Sequence, residues 1–289
     1  MVRNLKKLLA EAEKKKIAIG HFNIGELEML KAISHVAQRL DVPVIIGTSE
    51  GERDYLGIHH TVDLIKSYNQ EHGHRLFLNA DHTHSMEKAK AAVDVGYDAV
   101  LFDGGKLPLE ENIRKTKEIV EYAKAKNKKN LVEGEIGDIG SGSTIRKEIP
   151  KGAAIKPEDL TKPEDAKRFV KETGVDLLAP AVGNIHGMFA DAPEPALDIE
   201  RIRAIRKAAG VPLVLHGGSG NTDEDFLAAI DAGVSIIHIS TELRVAWRRG
   251  IEAGLKKNPE EITPYKVVPE AIEEIEKVVE NRLRLFNRL

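Results

Sequence analysis

The stretch FLNADHTHSM, residues 77–86, places one carboxylate and two imidazoles, Asp81, His82 and His84, where an apolar run stops. Residues of these types suit two purposes. A polar turn that caps the next helix uses short hydrogen-bonding side chains. A metal site with an acid or base beside its ligand uses imidazole and carboxylate as N and O donors. The 289-residue chain contains no cysteine. That leaves His, Asp and Glu as ligand types, excludes disulfides and fits a cytoplasmic setting.

Polar residues of the same kind recur at the ends of other apolar runs. IAIGHFN (17–23) offers His21 and Asn23, PVIIGTS (43–49) leads into Ser49 and Glu50, and RLFLNAD (75–81) ends on Asp81. DAVLFDG (98–104) carries Asp103, and NLVEGEIG (130–137) carries Glu133 and Glu135. DLLAPAVG (176–183) precedes Asn184 and His186, PLVLHGG (212–218) contains His216, and SIIHIST (235–241) contains His238, Ser240 and Thr241.

These eight runs are almost continuously apolar, as strands of a parallel sheet buried on both faces are. Segments of helical period lie between them, such as GELEMLKAISHVAQRL and SMEKAKAAVDVG, and several end in Gly, which accepts the left-handed conformation past a helix. Eight strand–helix units predict an α/β fold, a closed (β/α)₈ TIM barrel. The length fits one barrel domain over 1–289, with an amphipathic helix at the N-terminus and an extra C-terminal helix in VPEAIEEIEKVVENRLRLF. That last helix could pack on the barrel or on another subunit. One long irregular stretch, 137–161 after the fifth strand, has the length of a lid or binding loop.

In such a barrel the reacting groups come from the C-terminal ends of strands. Five of the eleven histidines, His82, His84, His186, His216 and His238, stand at or just past the ends of strands 3, 6, 7 and 8. A lone strand-end histidine is usually structural, but several at one mouth each need a partner, and one divalent ion would serve several at once. His82, His186 and His216 could supply three nitrogens and leave an open position, the arrangement of a catalytic zinc. HGGSG (216–220) is a glycine-rich turn entering a helix, and Ser240 and Thr241 open the next one. Helix N-termini bind phosphate through backbone N–H groups, and barrels use these two positions for it. GGSG alone is compatible with an ordinary turn; directly after a candidate ligand it points to a small phosphorylated substrate.

A formal charge of −3 offers no basic surface for nucleic acid, and no apolar run approaches the roughly 18 residues of a membrane span. His59, His60, His72 and His74 flank the connection between the second and third strands and read as solvated. His35 reads as a structural helix residue.

The chain resembles the class II, metal-dependent ketose-bisphosphate aldolases, which include the fructose- and tagatose-bisphosphate enzymes. The resemblance runs nearly end to end, through HFNIGELEML, PVIIGTSEGER, NADHTHSMEKAKAAVDVGYDAVLFDGGKLPLEENI, VEGEIGDIG, AVGNIHGMF, PLVLHGGSG and ISTEL. It implies a zinc barrel that cleaves a ketose 1,6-bisphosphate, fructose 1,6-bisphosphate first, into dihydroxyacetone phosphate and glyceraldehyde 3-phosphate. Carried over by position, His82, His186 and His216 are zinc ligands, and Asp81 is the acid/base for the C4 hydroxyl. Glu135 is the acidic residue near the metal that in some members holds a second divalent or a monovalent cation. Gly187, Gly217, Ser219, His238, Ser240 and Thr241 fall where the family cradles the triose phosphate, and Ser49 is a further serine on the substrate side. The family also implies a homo-oligomer, a dimer or tetramer. Zinc would supply the electron sink that C3–C4 cleavage needs; the other known sink is a Schiff-base lysine, and none of the eight runs contains a lysine.

Three positions depart from the family pattern. His238 stands where an asparagine is usual, Ala190 where a lysine often follows the HG pair, and Ser141 to Thr144 where fructose-specific members carry a loop glutamate, with Glu148 a distant substitute. The alternatives are an aldolase for tagatose 1,6-bisphosphate or another ketose phosphate, a metal-dependent hydrolase on the same barrel, and a barrel that binds metal and sugar phosphate with little turnover.

Overall fold

The computed structural model describes residues 4–73, 75–140, 142–148, 153, 155–190 and 192–289; His74 and Ser141 lie outside the described residues. The eight apolar runs form β1 (Ile19–Asn23), β2 (Val44–Thr48), β3 (Leu76–Thr83), β4 (Ala99–Phe102), β5 (Leu131–Ile136), β7 (Leu177–Pro180), β9 (Leu213–Leu215) and β10 (Val234–Ile239). They close into a parallel barrel in the order β1-β10-β9-β7-β5-β4-β3-β2. Two short strands, β6 (Ile145–Arg146) and β8 (Met188–Phe189), pair as a separate parallel ribbon.

Ahead of β1 lies α1 (Leu5–Lys15), and the crossovers carry α2 (Leu27–Leu40), α3 (Glu50–Leu56), α4 (Ile58–His72), α5 (Met86–Val95), α6 (Leu109–Lys126), α7 (Pro163–Thr173), α8 (Ile199–Ala209) and α9 (Asp223–Ala232). α10 (Thr241–Lys257), α11 (Pro264–Val267) and α12 (Pro269–Asn287) complete the chain. This is the (β/α)₈ barrel that the strand–helix repeat predicts. The sequence pattern does not pick out α3 and α4, because residues 50–72 bury a sparse set, Arg53, Thr61, Val62 and Ile65, with no broad apolar stripe. The ribbon strands are two residues each, too short for any period, and they tie the long loop after β5 to the segment after β7.

α1 closes the N-terminal end of the barrel. Its Leu5, Leu9 and Ala12 pack on the inward-facing Ile19, Ile45, Phe77, Leu131, Val214 and Ile236. Burying each large apolar side chain there stabilises by about 1.5–3 kcal/mol. α12 packs on the barrel against α10 and α2, burying Ala271, Ile275, Val279, Leu283 and Phe286. That contact is close: a Cβ on Gly250 would lie 2.2 Å from the Ala271 Cα.

Residues two apart on a strand share a face. One step above the apolar plug, the inward positions therefore carry His21, Asn79, Glu133, His216 and His238, all buried. One more step brings Asn23, Asp81 and Glu135 to the mouth. Gly47 makes room for this layer, since a Cβ there would sit 2.1 Å from His21 Cε1. Gly47→Ala should therefore lose about 1–3 kcal/mol of stability, as overpacked cores do. Urea unfolding of Gly47→Ala and of the Gly47→Ala/His21→Ala pair tests this: the double variant should recover part of the loss, and an unshifted single-variant midpoint would refute the packing.

Candidate metal centre and phosphate cradle

The ADHT segment is a distorted strand end. The β3–β4 register shifts between Ala80 and Thr83, and His82 has φ 38°, in the left-handed region that a non-glycine residue occupies at a cost of about 1–3 kcal/mol. Such bulges re-aim side chains. The buried Arg53 holds this one in place, its guanidinium donating to the Thr48 carbonyl, to the Asp81 carbonyl at 3.1 Å and to Thr83 Oγ1 at 2.8 Å. The cap of α5 is Ser85, whose Oγ accepts from Lys88 N at 3.1 Å. Asp81 and His82 are thus not used as caps.

His82, His186 and His216 converge from β3, the loop after β7 and the end of β9. Their ring centroids lie 4.6 Å (His82–His186), 4.8 Å (His82–His216) and 5.9 Å (His186–His216) apart. One nitrogen of each ring is tied to an acceptor outside the group. His82 Nδ1 lies 2.8 Å from Asp103 Oδ2, His186 Nδ1 lies 3.1 Å from the Gly140 carbonyl, and His216 Nε2 lies 2.7 Å from Glu133 Oε1. Each tied nitrogen carries a proton, so the other presents its lone pair to the centre. The donor set is therefore suited to one divalent ion: the three rings offer ligand atoms within 4.8 Å of one another.

The charges agree. Burial alone would lower His82, but Asp81, the bond to Asp103 and the nearby Glu135 outweigh it and raise the group to about 10. His82 Nε2 lies 3.2 Å from His216 Nδ1. Burial pushes His186 down to about 3, His21 to about 4 and His238 well below its ordinary value. Burial raises a carboxyl such as Asp81, but His82 and His238 outweigh it and hold the group well below the usual range. For Glu135 burial dominates, with Asp103 adding to it, and the carboxyl is held well above.

Asp81 Oδ2 accepts from Asn23 Nδ2 at 2.9 Å, and its Oδ1 faces His238 Nδ1 at 3.5 Å. Glu135 stands behind the ligand, its Oε2 3.8 Å from His82 Nδ1, and with His82 and Asp103 it forms a second group able to hold a cation. His21, Asp81 and His238 are also close, but the rings of His21 and His238 stack at 3.4 Å and 6°. In-plane lone pairs of two parallel rings cannot point at one ion, so this third group is not a metal site.

A cavity of about 320 Å³ opens over the centre. It is lined by the predicted Ser49, Asp81, His82, His186, Gly187, His216, Gly217, Ser219, His238, Ser240 and Thr241. Ser219 Oγ accepts from the N–H groups of Ser240 and Glu242, each at 3.3 Å, and so joins the β9 turn to the start of α10. Gly217 and Gly187 have φ 58° and 100°, and a Cβ on Gly217 would reach 2.4 Å from the Ile185 carbonyl oxygen. Ser143 lines the cavity, whereas Glu148 is exposed and outside its lining. His84 is exposed, with Nδ1 3.6 Å from Asp103. His35, His59, His60 and His72 are exposed on helices, away from the cavity.

Several residues outside the predicted ligand and cradle set hold the site together: Asp103, Glu133 and Gly140 behind the three imidazoles, Arg53 behind the bulge, and Asn23 beside Asp81. For Glu133 the available signal was its inward strand position two residues before Glu135. Removing a ligand's outer partner typically weakens metal binding about 10- to 100-fold. Asp103→Asn should do so, with zinc affinity read by competition against a chromophoric chelator; an unchanged affinity would show that the His82–Asp103 bond does not orient the ligand.

The chain matches the family described as fructose-bisphosphate aldolase class-II over residues 3–288. It is 36% identical over 286 residues to a fructose-bisphosphate aldolase of Geobacillus stearothermophilus, covering 98% of this chain and 96% of the relative. It is 39% identical over 282 residues to a 6-phospho-5-dehydro-2-deoxy-D-gluconate aldolase of Shouchella clausii, covering 96% and 92%. The crystal structure of the YdjI aldolase from Escherichia coli K12 superposes with a TM-score of 0.81 at 29% identity, over 99% of this chain and 97% of that one. A putative fructose-1,6-bisphosphate aldolase from Coccidioides immitis gives 0.83 at 27% identity, over 98% and 96%. With its inward-facing imidazoles, glycine-lined cradle and end-to-end match, the chain belongs to the class II fructose-bisphosphate aldolase family, metal-dependent carbon–carbon lyases.

Proposed function

We propose that this chain is a zinc-dependent aldolase that reversibly cleaves a ketose 1-phosphate between C3 and C4, releasing dihydroxyacetone phosphate and an aldehyde. The observation that carries the reading is the convergence of three imidazole lone pairs beside the Asp81 carboxylate, under a cradle of uncharged glycine, serine and threonine residues. Fructose 1,6-bisphosphate is the reference substrate expected from the sequence, with tagatose 1,6-bisphosphate as its close alternative; the relatives' names cover more than one sugar. Family membership argues against the hydrolase alternative. The same reading takes residues 1–289 as one catalytic barrel, acting in the cytoplasm as a homo-oligomer. No described helix is long and apolar enough to cross a membrane.

A divalent ion held by His82, His186 and His216 would supply a Lewis acid, the electron sink for cleavage beside a carbonyl. The protein's own groups do the rest. Asp81, ionised and held by Asn23, faces the cavity as a proton acceptor for the C4 hydroxyl in cleavage and returns the proton in condensation. Backbone N–H groups at the start of α10 and in the β9 turn, other than those of Ser240 and Glu242 that Ser219 Oγ takes, would bind the triose phosphate. Gly187 and Gly217 let backbone approach the ligand where a side chain would intrude.

The test is release of dihydroxyacetone phosphate from fructose 1,6-bisphosphate, tagatose 1,6-bisphosphate and fructose 1-phosphate by native, EDTA-stripped and zinc-refilled protein. At least one sugar should be cleaved, with activity lost on stripping and restored by zinc. Asp81→Ala should keep its zinc and lose about 10²–10⁴ in rate. A zinc-loaded protein that cleaves none of the three, or an Asp81→Ala variant at full rate, would contradict the reading.

A further inference from the structure

Glu52 sits just behind the cavity wall and gathers three of its lining residues. Its Oε2 accepts from Ser49 N at 2.8 Å, Ser49 Oγ at 2.9 Å and Asn23 Nδ2 at 3.1 Å. Its Oε1 lies 2.8 Å from Arg244 Nη2. Arg244, in the first turns of α10, is the only lysine or arginine among the described residues that line the cavity. The cavity's guanidinium is thus already balanced by a carboxylate, and that carboxylate is largely buried, with its side chain 12% exposed. A second carboxylate, Glu50, also lines the cavity; it accepts from His84 N at 2.8 Å and is paired with Lys88 Nζ at 3.3 Å.

The charges around the cavity are therefore already paired. The lining residues Gly217, Gly218, Ser219, Ser240 and Thr241 carry no charged side chain of their own, and the N-terminus of α10 among them suits one phosphate. Beside Glu50 and Arg244, a second phosphate with a charge of about −1.5 to −2 would meet two ion pairs, Glu50–Lys88 and Glu52–Arg244, and no unmatched cation among the described lining residues. A hydroxyl group suffers no such penalty. A guanidinium has five N–H donors in a fixed fork, so Arg244 can donate to a neutral oxygen while still paired with Glu52.

We propose that the aldehyde partner of this aldolase carries no anionic group, and that Glu52 sets this preference by neutralising Arg244. The proposal rests on the aldolase reading and narrows its substrate to a ketose 1-phosphate whose far end is a neutral polyol. In the synthetic direction, C3 of dihydroxyacetone phosphate loses a proton and bonds to the aldehyde carbon, whose oxygen takes up a proton as the new C4 hydroxyl. Glu52 touches neither atom; it is a positioning residue acting through Arg244, Ser49 and Asn23.

The experiment is condensation of dihydroxyacetone phosphate by the zinc-loaded full chain with glyceraldehyde, glyceraldehyde 3-phosphate and succinic semialdehyde. Wild type should show its highest kcat/KM on glyceraldehyde. Glu52→Gln, which keeps the side chain's shape, should move the phosphorylated-to-neutral ratio toward glyceraldehyde 3-phosphate by about fivefold, the scale of one half-exposed charge pair, mainly through KM. A wild-type preference for either anionic aldehyde overturns the proposal by itself, whether or not the variant folds. An unmoved ratio in folded Glu52→Gln removes Glu52 from it. Condensation with none of the three overturns the aldolase reading instead.

Discussion

The site depends on three hydrogen bonds that lie outside it. A buried imidazole has two nitrogens, and tying one to an acceptor decides that the other faces the centre with its lone pair. Asp103, Gly140 and Glu133 do this for His82, His186 and His216. Each partner comes from a different part of the fold: the end of β4, the loop after β5 and the inner face of β5. The loop's share is the least expected. Ile139 and Gly140 accept from the backbone and ring of His186, and Arg146 donates to the His186 carbonyl at 2.7 Å, while β6 pairs with β8 next to it. The root of the long loop is therefore part of the ligand's mounting.

Such an arrangement strains against stability. Six buried polar atoms around the centre, His21 Nδ1, Asn79 Oδ1, Asp81 Oδ1, Glu133 Oε2, Glu135 Oε2 and His238 Nε2, have no hydrogen-bond partner among the described residues. Buried groups left unpaired each cost about 1–3 kcal/mol. The left-handed His82 adds to that total. The barrel can tolerate this because the layer beneath is wholly apolar and closed by α1, and the sheet is wrapped by helices with tightly packed faces. Local rules fail where the chemistry is, and the surrounding core compensates.

Much of this was visible in the sequence, for physical reasons. Strands buried on both faces are written as unbroken apolar runs, so all eight barrel strands could be placed within a few residues, and the ligand histidines stood where those runs ended. Tertiary contact was not visible in the same way. Arg53 reads as an ordinary charged helix residue until its guanidinium is seen spanning two strands, and Glu133 and Glu135 look equivalent until one proves to hold His216 and the other to stand behind His82. α3 and α4 escaped because their buried side is narrow. The Gly140 carbonyl has no side chain to announce it.

His21 and the departure at His238 belong together. An imidazole at 238 is larger than the asparagine usual in the family, and it lies flat on His21, 3.4 Å away, while His21 occupies the space that Gly47 leaves empty and meets Asn79 Nδ2 at 3.2 Å. The ring at 238 still turns Nδ1 toward Asp81 Oδ1, so that carboxylate keeps a nitrogen on one side and Asn23 on the other. The larger ring is accommodated inside the barrel by its stack on His21. The pairing of Glu52 with Arg244 joins α3 to α10, outside the strands altogether. On the proposed reading, groups that would hold the triose sit on strand ends and the N-terminus of α10, and groups that would face the aldehyde sit on helix surfaces. A chain built this way could change which aldehyde it accepts while the geometry of the three imidazoles stays as it is.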